Sequence, residues 1–536
     1  MYTLSFNTKI QKKIFPYSCA LFVLLFCAFL LRILWIDTIP AGIYPDEAVN
    51  GTDALSAWDN KHFQWFYENN NGREGLFINL ISLSTLIFGN TILGLKIWSI
   101  LIGTLSVLGI YLLTKELFSS RLAGIISAFL MTFSFWAIDF SRISFRAIFV
   151  PLLLSFSFYF LFKGFRTKKY IPFIFAGLIF GLGFHTYIAF RLAPLILVGL
   201  AIIFLLNTKN AFPLYWKHIL VFLGSILFTT FPIIFTFFLH PEYLSSRSAS
   251  ISIFSPEINQ GQFFKTLGET FTLSMGKYFI WGDQNWRHNL PPFPILDFVT
   301  VVAFASGFLW SILRWFLLTW KRFYLKEYNK EYLILSCLLL WFFTMLAPEF
   351  LTKEGLPHSL RAIGTQPPVF IMAMLPFLFL FRLSKKEIPF KKFYTPFSLI
   401  LLLLIAFLNI FFYFVVWGQS NQAKDAFDRV FTQQAFYLRS LPTERFIYVL
   451  ANGPGQNMSD GLPVSADVIQ YLTWDKKNIS FLYPETTIET PATFLLMRND
   501  ETITNAIKNY YKERVVVETI TPIKEPDISF IVIHID

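Results

Sequence analysis

Two adjacent carboxylates, Asp46 and Glu47, follow the first long apolar segment of the chain. Acids are an uncommon feature here, since only 15% of the residues are charged. Such acids can be solvated groups at a helix end, or one of them can take up a proton during a reaction. The second interpretation is favoured because many other charged and aromatic side chains are predicted on the same side of a membrane.

The other residues that could do chemistry are arginines, histidines and acids near the ends of later apolar segments. An arginine can bind phosphate oxygens through two parallel hydrogen bonds. These candidates are Arg73, Glu74, Arg142, Arg146, His185, Tyr187, Asp283, Arg287, His288, His358 and Arg361.

Structural roles for several of these residues stay open. Arg142 and Arg146 can pair with Asp139 and anchor the end of a span. His185 and Tyr187 border a short turn, which favours a lining or structural role over a catalytic one. The residues around 283–288 can stitch a loop together as readily as they can contact a substrate.

The composition indicates a membrane protein that crosses the bilayer many times. Of the 536 residues, 55% are hydrophobic and 19% aromatic. A soluble chain of this length would carry more charge. The net charge of +11 does not indicate a nucleic-acid partner, because the basic residues punctuate apolar runs as membrane anchors do. Three cysteines, all in apolar segments, indicate neither a disulfide framework nor a zinc site.

The apolar runs predict about eleven transmembrane helices. Each approaches the roughly 17 to 20 residues that a helix needs to cross the hydrocarbon layer. The predicted spans are residues 17–36, 92–113, 122–138, 147–162, 171–188, 192–206, 218–239, 297–317, 332–347, 363–381 and 394–417. A further run at 76–88 is short and polar in places, so we predict a juxtamembrane helix there.

Basic residues predict the orientation of these spans. With 76–88 outside the bilayer core, five successive loops on one side are rich in lysine and arginine, as cytoplasmic loops are. The amino terminus, with Lys9, Lys12 and Lys13, lies on that same side. Other basic residues there include Lys115, Lys163, Lys209, Lys217, Lys321 and Lys385. The amino terminus is therefore predicted to be cytoplasmic, in a plasma or inner membrane.

The long loops fall on the opposite, extracytoplasmic side, together with all the candidate residues above. They span 37–91, 240–296 and 348–362. Long loops on a helical scaffold favour an active site at the outer membrane surface. We therefore define residues 1–419 as a mainly helical membrane domain.

Residues 420–536 have a different composition and predict a small soluble α/β domain outside the membrane. Strands are predicted at 445–450, 480–483, 493–497, 514–519 and 528–534, and helices near 424–440, 464–473 and 501–512. The role of this domain is not evident from its residues.

The order of the motifs resembles the GT-C glycosyltransferases of family 39, a family of membrane enzymes that includes protein O-mannosyltransferases and lipid A aminoarabinose transferases. The resemblance covers about residues 15–420. Its carriers are the Asp46-Glu47 pair and a loop ending Gly72-Arg73-Glu74, followed by segments 140–146, 282–291 and 357–364. Where some members have Glu-Lys-Pro, this chain has Arg73-Glu74-Gly75, so which of these residues meets phosphate or metal stays open.

The resemblance implies a polyprenyl-phosphate sugar donor and transfer to an acceptor hydroxyl with inversion. It implies that Asp46, the first acid of the pair, is the catalytic base, with Glu47 as its rival. The leaving lipid phosphate needs cations, and Arg361, Arg287 and Arg73 are the candidates. The remaining residues named above would line the substrate site.

Several alternatives follow from the same residues. Glu74 and His288 could hold a divalent metal, although two scattered ligands do not make a coordination set. A transporter or flippase of a lipid-linked glycan is the main alternative, but such proteins place charges near the bilayer midplane. A lipid-linked oligosaccharide transferase or polymerase would share the fold. The acceptor can be a protein, a glycan or a lipid.

Overall fold

The computed structural model describes residues 14–208, 211–244, 251–387, 389–482 and 488–536. Five residues of the predictions above, Lys9, Lys12, Lys13, Lys209 and Tyr483, lie outside the described residues, as do residues 245–250 of the second outer loop.

Within these ranges, nine helices are long and apolar enough to cross a membrane. They are Pro16–Ile33, Ile92–Phe118, Arg146–Thr167, Ile188–Asn207, Phe212–Leu239, Phe298–Tyr324, Lys330–Phe350, Ile363–Leu383 and Lys391–Trp417. The chain is a multi-pass membrane protein of mainly helical fold, as the composition predicts.

The other two predicted spans also fall on helices, but these are shorter. The run at 122–138 forms Arg121–Phe133 and, after a break at Ser134, Phe135–Phe140. The break coincides with extended backbone at Ser134 and with a hydrogen bond from the Phe135 amide to Asn409 Oδ1 (2.7 Å). The run at 171–188 corresponds to the apolar helix Tyr170–His185.

The chain divides into two compact units, of which the first contains Met1–Leu34 and Ser99–Trp417. Its helices pack closely where glycine permits. For example, a Cβ atom at Gly177 would lie 2.4 Å from the Phe222 carbonyl oxygen. The other helices of this unit include Phe149–Thr167, Tyr170–Leu182, Ala193–Asn207, Ala211–Leu239, Pro256–Asn259, Phe263–Gly276, Gln366–Leu383 and Lys391–Ile410. Short 3₁₀ turns at Gly183–His185, Ile188–Leu192, Pro241–Leu244 and Ile363–Thr365 connect several of them.

The second unit contains Trp35–Trp98 and Gly418–Asp536. Its sheet consists of five strands: β3 Phe446–Leu450, β4 Ile479–Phe481, β5 Ala492–Leu496, β6 Val515–Ile520 and β7 Phe530–Ile535. Their order in the sheet is β4-β3-β5-β7-β6, with β3 parallel to β4 and β5, and β7 antiparallel to β5 and β6. The helices are Asn421–Ala426, Arg429–Ser440, Ala466–Leu472 and Glu501–Tyr511. The helical and strand patterns that alternate along residues 420–536 thus predicted the small α/β domain correctly.

The long loop at 37–91 belongs to this second unit. Its helices are Pro45–Asp59 and Gly75–Phe88, the latter matching the short run at 76–88, and its two short strands are β1 Phe66–Tyr67 and β2 Arg73–Glu74. Pro45–Asp59 packs against Ala466–Leu472 so closely that a Cβ atom at Gly51 would lie 2.4 Å from the Tyr471 ring. The predicted boundary at residue 420 stays a prediction.

A buried acid, Asp467, lies where the helices Pro45–Asp59 and Ala466–Leu472 pack together. Its environment predicts how the stability of the protein depends on pH. Burial, the largest cause, together with the charges of Asp53 and Asp460, raises the pKa of Asp467 from 3.8 to about 7. The folded state therefore favours the protonated carboxyl, and its contribution is complete below the unfolded pKa. It is lost as pH rises from about 4 to about 7. We expect Asp467→Asn to be more stable than wild type at pH 8 and to lose this advantage at pH 4.

The measurement is thermal unfolding of the full chain at both pH values. The amide keeps an oxygen for the Thr52 hydroxyl, which donates to Asp467 Oδ1 at 2.6 Å. Glu513→Gln, at an exposed acid, is the control and should change nothing. Equal stabilities of Asp467→Asn and wild type at pH 8 would contradict the assignment.

Candidate functional site

The two adjacent acids at the start of Pro45–Asp59 have different environments. Glu47 is fully buried, and its Oε1 accepts a hydrogen bond from the Tyr44 amide (3.1 Å) at the helix start. Its Oε2 lies 3.7 Å from the buried Lys96 ammonium, which also donates to the Gly42 carbonyl (3.3 Å). Glu47 therefore stabilises the helix start and neutralises a buried lysine.

Asp46, by contrast, is only partly buried. Its Oδ1 accepts a hydrogen bond from Asn70 Nδ2 (2.7 Å), and no ion pair to it is recorded among the described residues. A partly solvated carboxylate has the exposure that a general base needs to reach an acceptor hydroxyl. The difference between the two acids follows from helix geometry, since adjacent side chains diverge by about 100°.

Arg73 and Glu74 form β2 and precede Gly75–Phe88, and both are buried. The Arg73 guanidinium donates to Asn50 Oδ1 (2.7 Å) and to the Asn69 carbonyl (3.1 Å), and it pairs with Asp53. Arg73 thus ties the loop to Pro45–Asp59. Glu74 precedes the first residue of Gly75–Phe88.

In the first unit, Asp283, His288 and His358 form a cluster that we call the Asp–His cluster. One possible ligand atom from each lies within 4.8 Å of the others. Asp283 Oδ2 accepts hydrogen bonds from His288 Nδ1 (3.1 Å) and from the Ser359 amide (2.6 Å). His288 Nε2 and His358 Nδ1 are buried and have no recorded hydrogen-bond partner among the described residues.

The charges of this cluster are set by burial and by its neighbours. Burial raises the pKa of Asp283, but the charge and hydrogen bond of His288 outweigh it and bring the pKa to about 2. Burial lowers the pKa of His358 well below its usual value, and the charges of His288 and Arg361 act in the same direction. Asp283 is therefore ionised and His358 neutral at physiological pH.

The two arginines of this region are more accessible than Arg73. Arg361 donates from Nη1 to Thr352 Oγ1 (2.7 Å) and from Nη2 to Glu354 Oε2 (2.7 Å). The Glu354 side chain is 53% exposed, so this pair lies at the surface of the unit. Arg287 is half-buried, and its Nε donates to Asn285 Oδ1 (3.1 Å).

Four predicted lining residues have contacts typical of structural roles. Fully buried Arg142 donates to the Leu31 and Leu34 carbonyls (2.8 and 2.7 Å) at the end of Ile14–Ile33. Arg146 lies over the Tyr187 ring at 5.7 Å, and His185 Nε2 bonds the Thr229 carbonyl at 2.7 Å. Arg142 thus caps the first helix.

Sequence reasoning missed a fully buried ion pair next to the Asp–His cluster, formed by Lys277 and Glu349. Glu349 Oε1 also accepts a hydrogen bond from the His358 amide (2.9 Å). An acid directly after an apolar run, as Glu349 is, was the available signal. No pattern could pair it with a lysine 72 positions away.

Comparisons with known proteins agree with this architecture. Residues 76–240 match the family model described as dolichyl-phosphate-mannose-protein mannosyltransferase. No curated protein sequence matches the chain significantly. The crystal structure of ArnT from Cupriavidus metallidurans in the apo state is similar with a TM-score of 0.54, at 10% identity over 97% of both chains. The chain has a GT-C glycosyltransferase fold. The family match over residues 76–240 and this fold support the resemblance to family 39.

Two further structures are less similar to this GT-C chain. ArnT from Cupriavidus metallidurans bound to undecaprenyl phosphate gives a TM-score of 0.49, at 10% identity over 97% of both chains. The arabinofuranosyltransferase AftD from Mycobacteria gives 0.40, at 14% identity over 88% of this chain and 32% of that chain. The fold assignment rests on the apo structure alone.

The environment of Glu47 predicts a folding defect on its neutralisation. Glu47→Gln keeps the hydrogen bond to Tyr44 but leaves the Lys96 ammonium buried without its opposite charge. Breaking a buried pair in this way costs about 3–5 kcal/mol. Thermal unfolding of the purified full chain should show the loss, and adding Lys96→Met should restore much of it. Asp46→Asn should change stability by less than about 1 kcal/mol, because its group is partly solvated. Equal losses in Glu47→Gln and Asp46→Asn would contradict the division of roles.

Proposed function

We propose that this GT-C protein transfers a sugar from a polyprenyl-phosphate donor to an acceptor hydroxyl, with inversion at the anomeric carbon. The single observation that carries the proposal is the state of Asp46, a partly solvated carboxylate beside a buried, ion-paired Glu47. It stands at the position that the family resemblance gives to the catalytic base, in a chain with the GT-C fold.

The base must accept the proton of the acceptor hydroxyl as the new glycosidic bond forms. Asp46 suits this role because its charge is not neutralised by a buried cation, and Asn70 orients one of its oxygens. Glu47 is less suited, because protonating it would leave Lys96 buried without a counter-charge.

The leaving group is a lipid phosphate, which is already an anion and needs cations rather than a proton. Arg361 supports this requirement best: its partner Glu354 is exposed, so a phosphate can replace that pair at little cost. Arg287 is the second candidate. The three contacts of Arg73 favour a structural role for that residue.

The donor class rests on the family resemblance, and the acceptor stays open among protein, glycan and lipid hydroxyls. We place the reaction on the extracytoplasmic side of the cell membrane, with the amino terminus in the cytoplasm. The support is the predicted distribution of basic loops.

We also propose that the Asp–His cluster binds a divalent cation. The observation in favour is that two buried imidazole nitrogens, His288 Nε2 and His358 Nδ1, have no hydrogen-bond partner within the described part of the chain. A metal-ligating histidine commonly donates its other N–H to a carboxylate, as His288 does to Asp283. A bound cation would supply positive charge for phosphate oxygens. Glu74, the other ligand expected from the sequence, belongs to the second unit.

The proposed base predicts a large kinetic effect. Asp46→Asn keeps the size and a hydrogen bond from Asn70 but cannot take up the proton. We expect turnover to fall about 100- to 10,000-fold, while binding of undecaprenyl phosphate stays near wild type. The measurement is release of lipid phosphate from a radiolabelled polyprenyl-phosphate sugar by folded protein.

The comparison uses Glu47→Gln with Lys96→Met, so that the rival acid is neutralised in a folded chain. Retained turnover in this double variant agrees with the proposal. Collapse of turnover there with normal turnover in Asp46→Asn would transfer the role to Glu47. Normal turnover in both would reject this helix start as the catalytic centre.

The metal proposal predicts a change in composition that does not depend on activity. Purified wild type should contain about one divalent metal per chain by elemental analysis, and chelation should lower its unfolding temperature. His288→Ala and His358→Ala should lose the metal, and Asp283→Asn should weaken binding about 10- to 100-fold. His240→Ala, at an exposed histidine, should retain it. Wild type that stays metal-free after supply of Zn²⁺, Mn²⁺ or Mg²⁺ would refute the site.

A further inference from the structure

The segment 357–361, which we call the His358 turn, is held by two buried carboxylates, one from the preceding helix and one from a loop 76 positions away. Asp283 Oδ2 accepts the Ser359 amide at 2.6 Å, and Glu349 Oε1 accepts the His358 amide at 2.9 Å. These are consecutive amides of the backbone. Two such bonds fix the direction of the peptide groups just before Arg361.

The two oxygens of the second carboxylate, Glu349, have different partners. Glu349 Oε1 bonds the His358 amide, while Oε2 pairs with the Lys277 ammonium. Both side chains of that pair are fully buried. A buried carboxylate is costly unless it is paired, so the contact with Lys277 stabilises Glu349 in the position from which it bonds the turn.

The segments that contain Lys277 and the His358 turn are also joined by hydrogen bonds beyond the turn. The hydroxyls of Tyr278 and Thr365 are 2.6 Å apart, and the Ile295 amide donates to the Lys277 carbonyl at 3.0 Å. After the turn, Trp341 Nε1 donates to the Gly364 carbonyl at 2.8 Å. The His358 turn is therefore anchored at its start by Glu349 and beyond its end by Tyr278 and Trp341.

We propose that Glu349, paired with Lys277, is a positioning residue that holds the His358 turn so that Arg361 can meet the donor phosphate. The inference deepens the proposed function and rests on its donor class. Glu349 itself touches no substrate. Its effect passes through the His358 amide to the backbone of Arg361, three residues on.

A single substitution would not test this, because it would leave a buried charge unpaired and unfold the protein. Two double variants remove the ion pair and differ only in the hydrogen bond. Lys277→Met with Glu349→Gln keeps an oxygen for the His358 amide. Lys277→Met with Glu349→Leu removes that oxygen and keeps a similar volume.

The probe is undecaprenyl phosphate, titrated against the detergent-solubilised full chain and followed by thermal shift. We expect the glutamine variant to bind within about threefold of wild type. The leucine variant should bind about tenfold more weakly or worse, because a buried amide without an acceptor disorders the turn. Adding Arg361→Ala should weaken the glutamine variant strongly and the leucine variant little, since the two losses act on one path.

Hydrogen exchange of the peptide that contains residues 356–361 gives a second readout that needs no donor. It should be fast in the leucine variant and slow in the glutamine variant. Equal exchange and equal affinity in the two variants would overturn the inference. Wild type that does not bind undecaprenyl phosphate, with the exchange difference intact, would refute the proposed donor class and leave the positioning of the turn standing.

Discussion

The free-energy cost of burying a charge is met by ion pairs in the segment 35–98 and beside the Asp–His cluster. In a chain so rich in apolar residues, an ionised side chain within the fold needs an opposite charge or several donors. Lys96 with Glu47, Lys277 with Glu349 and Arg73 with Asp53 meet this requirement. Each pair joins two segments that are not adjacent in sequence and thereby helps to hold them together.

This constraint also separates structural from reactive acids. Asp46 and Glu47 are neighbours of the same chemical class, yet Glu47 is committed to a buried lysine and a helix start. Protonation of a committed acid destabilises the fold, whereas protonation of a partly solvated one does not. A residue that must change its charge in each catalytic cycle is therefore better placed where Asp46 is. The same reasoning distinguishes Arg361, paired with an exposed acid, from Arg73.

The helices and the carboxyl-terminal sheet were predictable because their signals are local. Runs of apolar residues predicted every span, and alternating residues predicted all five strands. The break at Ser134 was not predictable, because Asn409 supplies a hydrogen bond from an apolar run nearly three hundred residues away. The site was predictable in part: Asp283, His288 and His358 were each selected from motifs, but their convergence was not. The pairing of Lys277 with Glu349 was not predicted, because a single charge at the edge of an apolar run is typical of a membrane anchor.

The arginines show why residue type alone does not assign function in such a protein. A guanidinium has five donors in one plane, so it can satisfy several carbonyls at once as well as bind a phosphate. Arg142 bonds two carbonyls at the end of the first helix, where helix carbonyls commonly lack intrahelical donors. Arg361 bonds one hydroxyl, one carbonyl and one exposed carboxylate. An incoming phosphate would have to displace buried helix carbonyls from Arg142 but only a solvated acid from Arg361. Replacing Glu354 by a phosphate at Arg361 conserves charge and costs little desolvation. An arginine whose acidic partner is accessible to solvent is therefore the better candidate for binding substrate.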